Sequence, residues 1–286
     1  MSTTALKTKA PAKGLTFTHN GHRYRLDGLP VTGVTTILNG GIPKPALIYW
    51  SGKTVAEYVE ANPAEIESLR NRDDVDMVRE LASIPAKIRD DAGVRGTAVH
   101  DFAEALATTG TVEDVPEELA GYVEGYADFL DRFQITPLLM ERPVASRKDW
   151  YAGKFDMIAT SPLLNDGKPV MIDLKTSKYV YGETGLQCGA YSLAEFYIDA
   201  DGQEHELPEI AATYVAHVTP MDRDGENARY GDAPLGTTLY PLAKNRDEMR
   251  GHYAMFLAAA YTHKTTKLRE AIVGAPVTIE QKAVAA

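Results

Sequence analysis

The chain has 286 residues, 44% hydrophobic and 24% charged, with a formal net charge of −10, which is the composition of an ordinary soluble fold able to bury a full core. No apolar run approaches the roughly 20 residues a membrane span requires. The single cysteine, Cys188, excludes an internal disulfide, a four-cysteine iron–sulfur cluster and a multi-cysteine zinc site, and makes a reducing, cytoplasmic setting the expectation.

In chain order, residues 1–14 are polar and small, with Lys7, Lys9 and Lys13 but no apolar core of a signal peptide, and are expected to be a disordered tail. Residues 15–26 alternate as a hairpin, Leu15 and Phe17 on one arm, Tyr24 and Leu26 on the other, His19-Asn20-Gly21 at the turn. A Val- and Thr-rich stretch, 31–38, follows. Pro43-Lys44-Pro45 opens a helix over 46–60 with Leu47, Trp50, Val55 and Tyr58 as inward residues. Residues 64–90 read as one or two charged helices and 96–107 as another. Residues 115–133 read as a helix whose Leu119, Tyr122, Tyr126, Phe129 and Phe133 fall at helical spacing and form core.

Strands are then expected at 136–144, 153–160 and 170–176, the last two joined by a turn around Asn165-Asp166-Gly167. A helix over 183–197, a strand over 211–218, a shorter one over 236–242, a helix over 246–262 and a loose tail over 276–286 complete the chain. The pattern predicts an α/β fold, a mixed central sheet flanked by helices and preceded by a mostly helical N-terminal region.

The strand Val170-Met171-Ile172-Asp173-Leu174-Lys175-Thr176 places Asp173 and Lys175 on one face, with Ile172 and Leu174 turned into a core. The preceding strand carries Gly153-Lys154-Phe155-Asp156. A hairpin centred between Leu164 and Asn165 sets Asp156 opposite Asp173. Facing carboxylates repel unless a cation lies between them, and hard divalent ions prefer carboxylate and carbonyl oxygen, of which the Leu174 main chain offers one more. A lysine beside such an ion can orient a water and stabilise developing charge, as phosphodiester hydrolysis requires. The stretch 141–178 also carries seven basic residues against five acidic ones, so a locally positive surface is compatible with a negative chain. In the following helix Gln187 and Tyr191 share a face beside an apolar stripe of Leu186, Ala190, Leu193 and Tyr197. Upstream, His100 and Glu104 lie one helical turn apart.

The ordered set Gly96-Thr97-x-x-His100, Gly153-x-x-Asp156, Asp173-x-Lys175 and Gln187-x-x-x-Tyr191 resembles the RecB-like exonuclease branch of the PD-(D/E)xK nuclease superfamily, over about residues 95–197. A weaker likeness joins Thr32–Leu38, Pro43–Leu47 and Trp50 to phage-encoded members and to mitochondrial genome maintenance exonucleases. The resemblance implies a restriction-endonuclease-like sheet and a nuclease domain over 15–275, with a hairpin and helical part at 15–94 and the catalytic core at 95–275. It implies His100, Asp156, Asp173 and the Leu174 carbonyl as ligands of Mg²⁺ or Mn²⁺. Lys175 then acts on the water, and Gln187 and Tyr191 orient the lysine or contact DNA, with Glu104 and Glu141 further out. It also implies DNA with a free or single-stranded end as substrate, a recombination or replication protein as partner, no membrane, and the host cytoplasm for a phage-encoded member. Some relatives hold a cysteine-bound iron–sulfur cluster, which Cys188 alone does not allow. Base stacking is expected at Tyr151, Tyr181 and Tyr191, and phosphate contacts at Arg147, Lys148, Lys154 and Lys178. The competing readings are a structure-specific endonuclease or nickase with the same metal site, a non-catalytic DNA-end-binding protein, and an acidic protein–protein adaptor.

Overall fold

Apolar central strands demand cover on both faces, and the chain supplies a helical layer for each. The computed structural model describes residues 14–18 and 23–277; the expected turn at His19-Asn20-Gly21, most of the N-terminal tail and the end of the C-terminal one lie outside them. In chain order the elements are β1 (Leu15–Thr18), β2 (Arg23–Leu26), β3 (Leu29–Gly33), α1 (Val34–Gly41), α2 (Pro45–Ala61), α3 (Pro63–Arg70), α4 (Met77–Thr109) and α5 (Glu117–Arg132). They continue as β4 (Thr136–Ser146), β5 (Tyr151–Thr160), β6 (Val170–Lys175), α6 (Glu183–Ser192), β7 (Phe196–Ile198), β8 (Glu204–His205), β9 (Ala212–Val218), β10 (Thr237–Ala243), α7 (Arg246–Lys264) and α8 (Thr266–Glu270). The result is mixed α/β, a curled mixed sheet flanked by helices. None of the described helices is long and apolar enough to cross a membrane.

β5 is the pivot of the sheet. β4 pairs antiparallel along its whole length on one side. On the other side β3 runs parallel to its start, through Thr32–Tyr151 and Gly33–Ala152, and β6 runs antiparallel to its end, from Met157–Ile172 to Ala159–Val170. β6 then pairs parallel with β9, and β9 antiparallel with β10. The β5–β6 register is the one the hairpin arithmetic requires. The turn between them carries Asn165, Asp166 and Gly167 at φ 48°, 56° and 74°, the left-handed conformations that Asn, Asp and Gly tolerate best.

One face of the sheet, with Phe155, Ile158 and Met171, packs against α1, α6 and α7 through Ile37, Leu38, Cys188, Met249 and Phe256. The other, with Met157, Ala159, Ile172 and Leu174, packs against α4 and α5 through Val99, Ala103, Tyr122, Tyr126 and Phe129. Asn245 caps α7 by accepting from the amides of Asp247 and Glu248 at 3.0 Å each.

Three expectations need correction. The charged stretch before 90 and the segment 96–107 are not separate. Asp76 caps one 33-residue helix, α4, by accepting from the Arg79 amide at 3.1 Å, and Gly110 at φ 79° ends it. Leu47 and Trp50 are exposed rather than inward, and no residue of α2 is fully buried. The helix that begins at Glu183 stops at Ser192, and Tyr197 belongs to β7, paired with Val144 of β4.

α1 and α7 meet so closely that a Cβ on Gly41 would overlap the carbonyl of Ala259, a backbone atom that cannot turn aside. Gly41→Ala is therefore expected to lower stability by about 2–3 kcal/mol. Gly52, in α2, has nothing within 4 Å of the place a Cβ would occupy. Gly52→Ala is expected to raise stability by up to about 1 kcal/mol. Chemical denaturation of the two variants checks the pair; equal stabilities would mean that the α1–α7 contact is looser than described.

Candidate active site

Beyond Met157–Ile172 the two strands part. The next pair outward, Asp156 and Asp173, is outside the ladder. The Leu174 amide points toward β5 and there meets a side chain, donating to Asp156 Oδ2 at 2.7 Å. Asp156 thus closes the sheet locally and still has a second oxygen to offer.

β4 breaks its alternation at the same level. Glu141 lies between Met140, opposite Met157, and Arg142, opposite Phe155. It has φ 51°, a left-handed conformation that costs a non-glycine residue about 1–2 kcal/mol. Leu139 and Val144 pack into the same layer, as do Phe155 and Ile158, although uninterrupted strands would put residues at those odd separations on opposite faces. The irregularity turns Glu141 and Asp156 toward α4, where they line a small recess with Glu104, Tyr126 and Met140.

α4 brings His100 over this point. A Cβ on Gly96 would come within 3.2 Å of Thr176 Oγ1, so the glycine lets the helix lie close over the end of β6. His100 Nδ1 is 3.7 Å from Asp156 Oδ1 and 3.9 Å from Glu141 Oε1. Among the described residues, His100, Glu141 and Asp156 form a group whose possible ligand atoms all lie within 4.8 Å of one another. One imidazole and two carboxylates suit a divalent cation of the Mg²⁺ or Mn²⁺ kind, the nitrogen favouring Mn²⁺.

Asp173 and Lys175 stand beside this group rather than within it. Asp173 is 2% exposed; Lys175 Nζ donates to its Oδ2, and its Oδ1 is buried with no hydrogen-bond partner. An orphaned carboxylate oxygen at the strand end fits a cation-binding role. Burial, then the neighbouring Asp156 charge, pushes the Asp173 carboxyl up to about 6, against the opposing pull of Lys175. Burial presses the Lys175 ammonium down, but Asp173 and Asp156 outweigh it and hold the pKa above the ordinary lysine value. Burial likewise works against a charged His100, and Asp156 and Glu141 more than offset it.

Gln187 Nε2 donates to the Tyr191 hydroxyl at 3.3 Å. Tyr191 is 3% exposed and fills the notch left by Gly153, where a Cβ would overlap its ring. Tyr191 and the equally buried Tyr151 cannot stack on bases; Tyr151 instead donates to the Ala190 carbonyl at 2.8 Å. Arg147 and Lys154 also depart from expectation as phosphate contacts. Arg147 is clasped by Asp27 and Glu204, and Lys154 by Glu141. Lys148 is exposed.

The three-residue group, Lys175 and Lys178 line a cleft of 880 Å³ walled by α4 on one side and the 226–230 loop on the other. Arg95 and Arg229, which no motif singled out, line it too, and each has a buried Nε without a hydrogen-bond partner. They come from segments far apart in sequence and carry no local pattern.

If the parted strands hold a cation, charge removal at either carboxylate weakens it. Asp156→Asn and Glu141→Gln are each expected to lower Mn²⁺ affinity about tenfold or more in calorimetric titration. Unchanged affinity in both variants would place the ion elsewhere.

Comparison with known proteins assigns no family: no protein-family model matches the chain and no curated protein matches it.

Proposed function

We propose that the chain is a metal-dependent deoxyribonuclease of the PD-(D/E)xK kind that degrades DNA from its ends. The observation that carries this reading is the parting of β5 and β6 at Asp156 and at Asp173-Leu174-Lys175, beneath His100 and on the floor of a cleft. The antiparallel run β4–β5–β6, continued by parallel β9 and covered by helices on both faces, supports a restriction-endonuclease-like fold.

His100 and Asp156 would hold the cation, with Glu141 or Asp173 completing its oxygen set. A divalent ion bound there neutralises phosphoryl charge and lowers the pKa of a water. The chain's own residues do the rest. Asp173 holds Lys175 at the cleft wall, and its ammonium is placed to donate to the attacking water or a phosphoryl oxygen. Tyr191, bonded to Gln187, packs on Gly153 and helps to set the stretch of β5 that leads to Asp156. Arg95, Arg229 and Lys178 offer positive charge to the phosphates on either side. In the reaction, water oxygen bonds to phosphorus, one P–O ester bond breaks, and a proton passes to the leaving oxygen. The end requirement is supported by α4, which walls the cleft over several turns from Ile88 to Asp101 and favours a strand that can be threaded. A role in phage-type recombination, replication or repair, with a partner protein and in a host cytoplasm, rests on the resemblance alone.

Lys175→Ala is expected to reduce cleavage about 10²–10⁴-fold while DNA binding persists; near-normal turnover would remove the lysine from the mechanism. With Mn²⁺ at low salt, linear single-stranded DNA is expected to be degraded and closed circles spared, all activity ceasing in EDTA. Equal loss of circles would favour an endonuclease, and no loss of either a non-catalytic end-binding protein.

A further inference from the structure

A second cavity, of 720 Å³, opens next to the cleft, between the segment leaving β6 (178–182) and the segment before β10 (230–234). Its volume falls within the roughly 300–1,000 Å³ range of pockets that enclose organic ligands. Lys178 and Tyr230 line both spaces, so the cavity continues the cleft rather than lying apart from it.

Its lining is aromatic. Tyr122, Phe129 and Tyr151 are fully buried in the core, whereas Tyr179, Tyr181 and Tyr240 are 55%, 59% and 36% exposed and face one hollow. Tyr240 is held in β10, and the segment that carries Tyr179 and Tyr181 is tied down through its backbone. Ser177 Oγ donates to the Tyr179 carbonyl at 2.7 Å, the His217 ring pairs with the Ser177 carbonyl at 2.7 Å, and the Thr184 amide donates to the Tyr181 carbonyl at 3.0 Å. Held in place without being packed, these rings have faces available to a partner.

Lys178 on the shared rim and Arg229 on the cleft side of it supply positive charge, with Asp232 on the cavity side. Lys178 Nζ sits 5.3 Å from the centre of the Tyr179 ring. Arg229, on the cleft side of Tyr230, lies 5.1 Å over that ring and is fixed by donation to the Tyr122 hydroxyl at 2.6 Å and by Glu226 at 3.3 Å. Aromatic faces beside these cations match a single-stranded nucleic acid, whose bases offer π-faces and whose backbone offers phosphates. A duplex does not fit this pattern, because the faces of its bases are already covered by their neighbours in the stack.

Building on the nuclease reading, we infer that this cavity is a base-stacking subsite: unpaired bases next to the cleaved phosphate lie on Tyr179, Tyr181 and Tyr240, and the phosphate joining them to the cleft passes between Lys178 and Arg229. The subsite makes a single-stranded segment, rather than a duplex, the part of the substrate that the enzyme grips.

The test is fluorescence anisotropy of the full chain with a labelled thymidine oligonucleotide and an abasic one of equal length, in EDTA so that neither is cut. Wild type should bind the thymidine strand more tightly than the abasic strand. Tyr181→Ala and Tyr240→Ala should each lose about tenfold in affinity for the thymidine strand and little for the abasic one. Tyr181→Phe and Tyr240→Phe, which keep the ring, should bind like wild type. If wild type cleaves linear DNA with Mn²⁺ but the alanine variants bind the thymidine strand normally, or base and abasic strands bind equally, the subsite is overturned and the nuclease reading stands. If wild type neither binds nor cleaves DNA, both fall.

Discussion

The hydrogen bond from the Leu174 amide to the Asp156 carboxylate is the joint on which the site depends. It lets β6 leave β5 without stranding a buried amide, which would cost about 1–3 kcal/mol. Once the strands part, Asp173 and Lys175 stay paired with β9 but no longer with β5, and the second oxygen of Asp156 turns toward His100. The left-handed backbone of Glu141 opposite Asp156 completes the arrangement, at a strain cost that the surrounding β4–β5 pairing can bear. A sheet built only for stability would have no use for either irregularity.

On the nuclease reading, an acidic chain has to face a polyanion. Much of the basic charge near β4, β5 and β6 is already matched: Arg147 by Asp27 and Glu204, Lys154 by Glu141. The cleft itself is lined by Arg95, Lys154, Lys175, Lys178 and Arg229 and by as many acidic residues, and Lys175 and Arg229 are themselves paired with Asp173 and Glu226. Local placement, not the net charge of −10, sets the field that a phosphate would meet.

Much of this was legible in the sequence, for identifiable reasons. The β5–β6 register follows from the symmetry of Asp156 and Asp173 about the Asn165 turn, and period-2 alternation put Ile172 and Leu174 in the core. The aromatic stripe of α5 was equally plain in its 3.6-residue spacing. The continuity of α4 was hidden because no residue between Pro85 and Val99 is fully buried, so that stretch has no apolar period to read. Glu141 carries no such signal, since nothing in a strand sequence announces a left-handed residue. Leu47 and Trp50 misled because apolar residues on an amphipathic helix normally point inward, whereas α2 lies at the cleft edge and leaves them exposed. Of the exposed tyrosines only Tyr181 is among the residues expected to stack; Arg229, Tyr179 and Tyr240 come to the site through tertiary placement, which local pattern does not encode.

The claim that the parted strands form a metal centre is most directly tested by anomalous diffraction from crystals of the full chain soaked in Mn²⁺. The expected result is a manganese peak within coordinating distance of both His100 and Asp156. A peak bound only elsewhere, or none at saturating Mn²⁺, would contradict it.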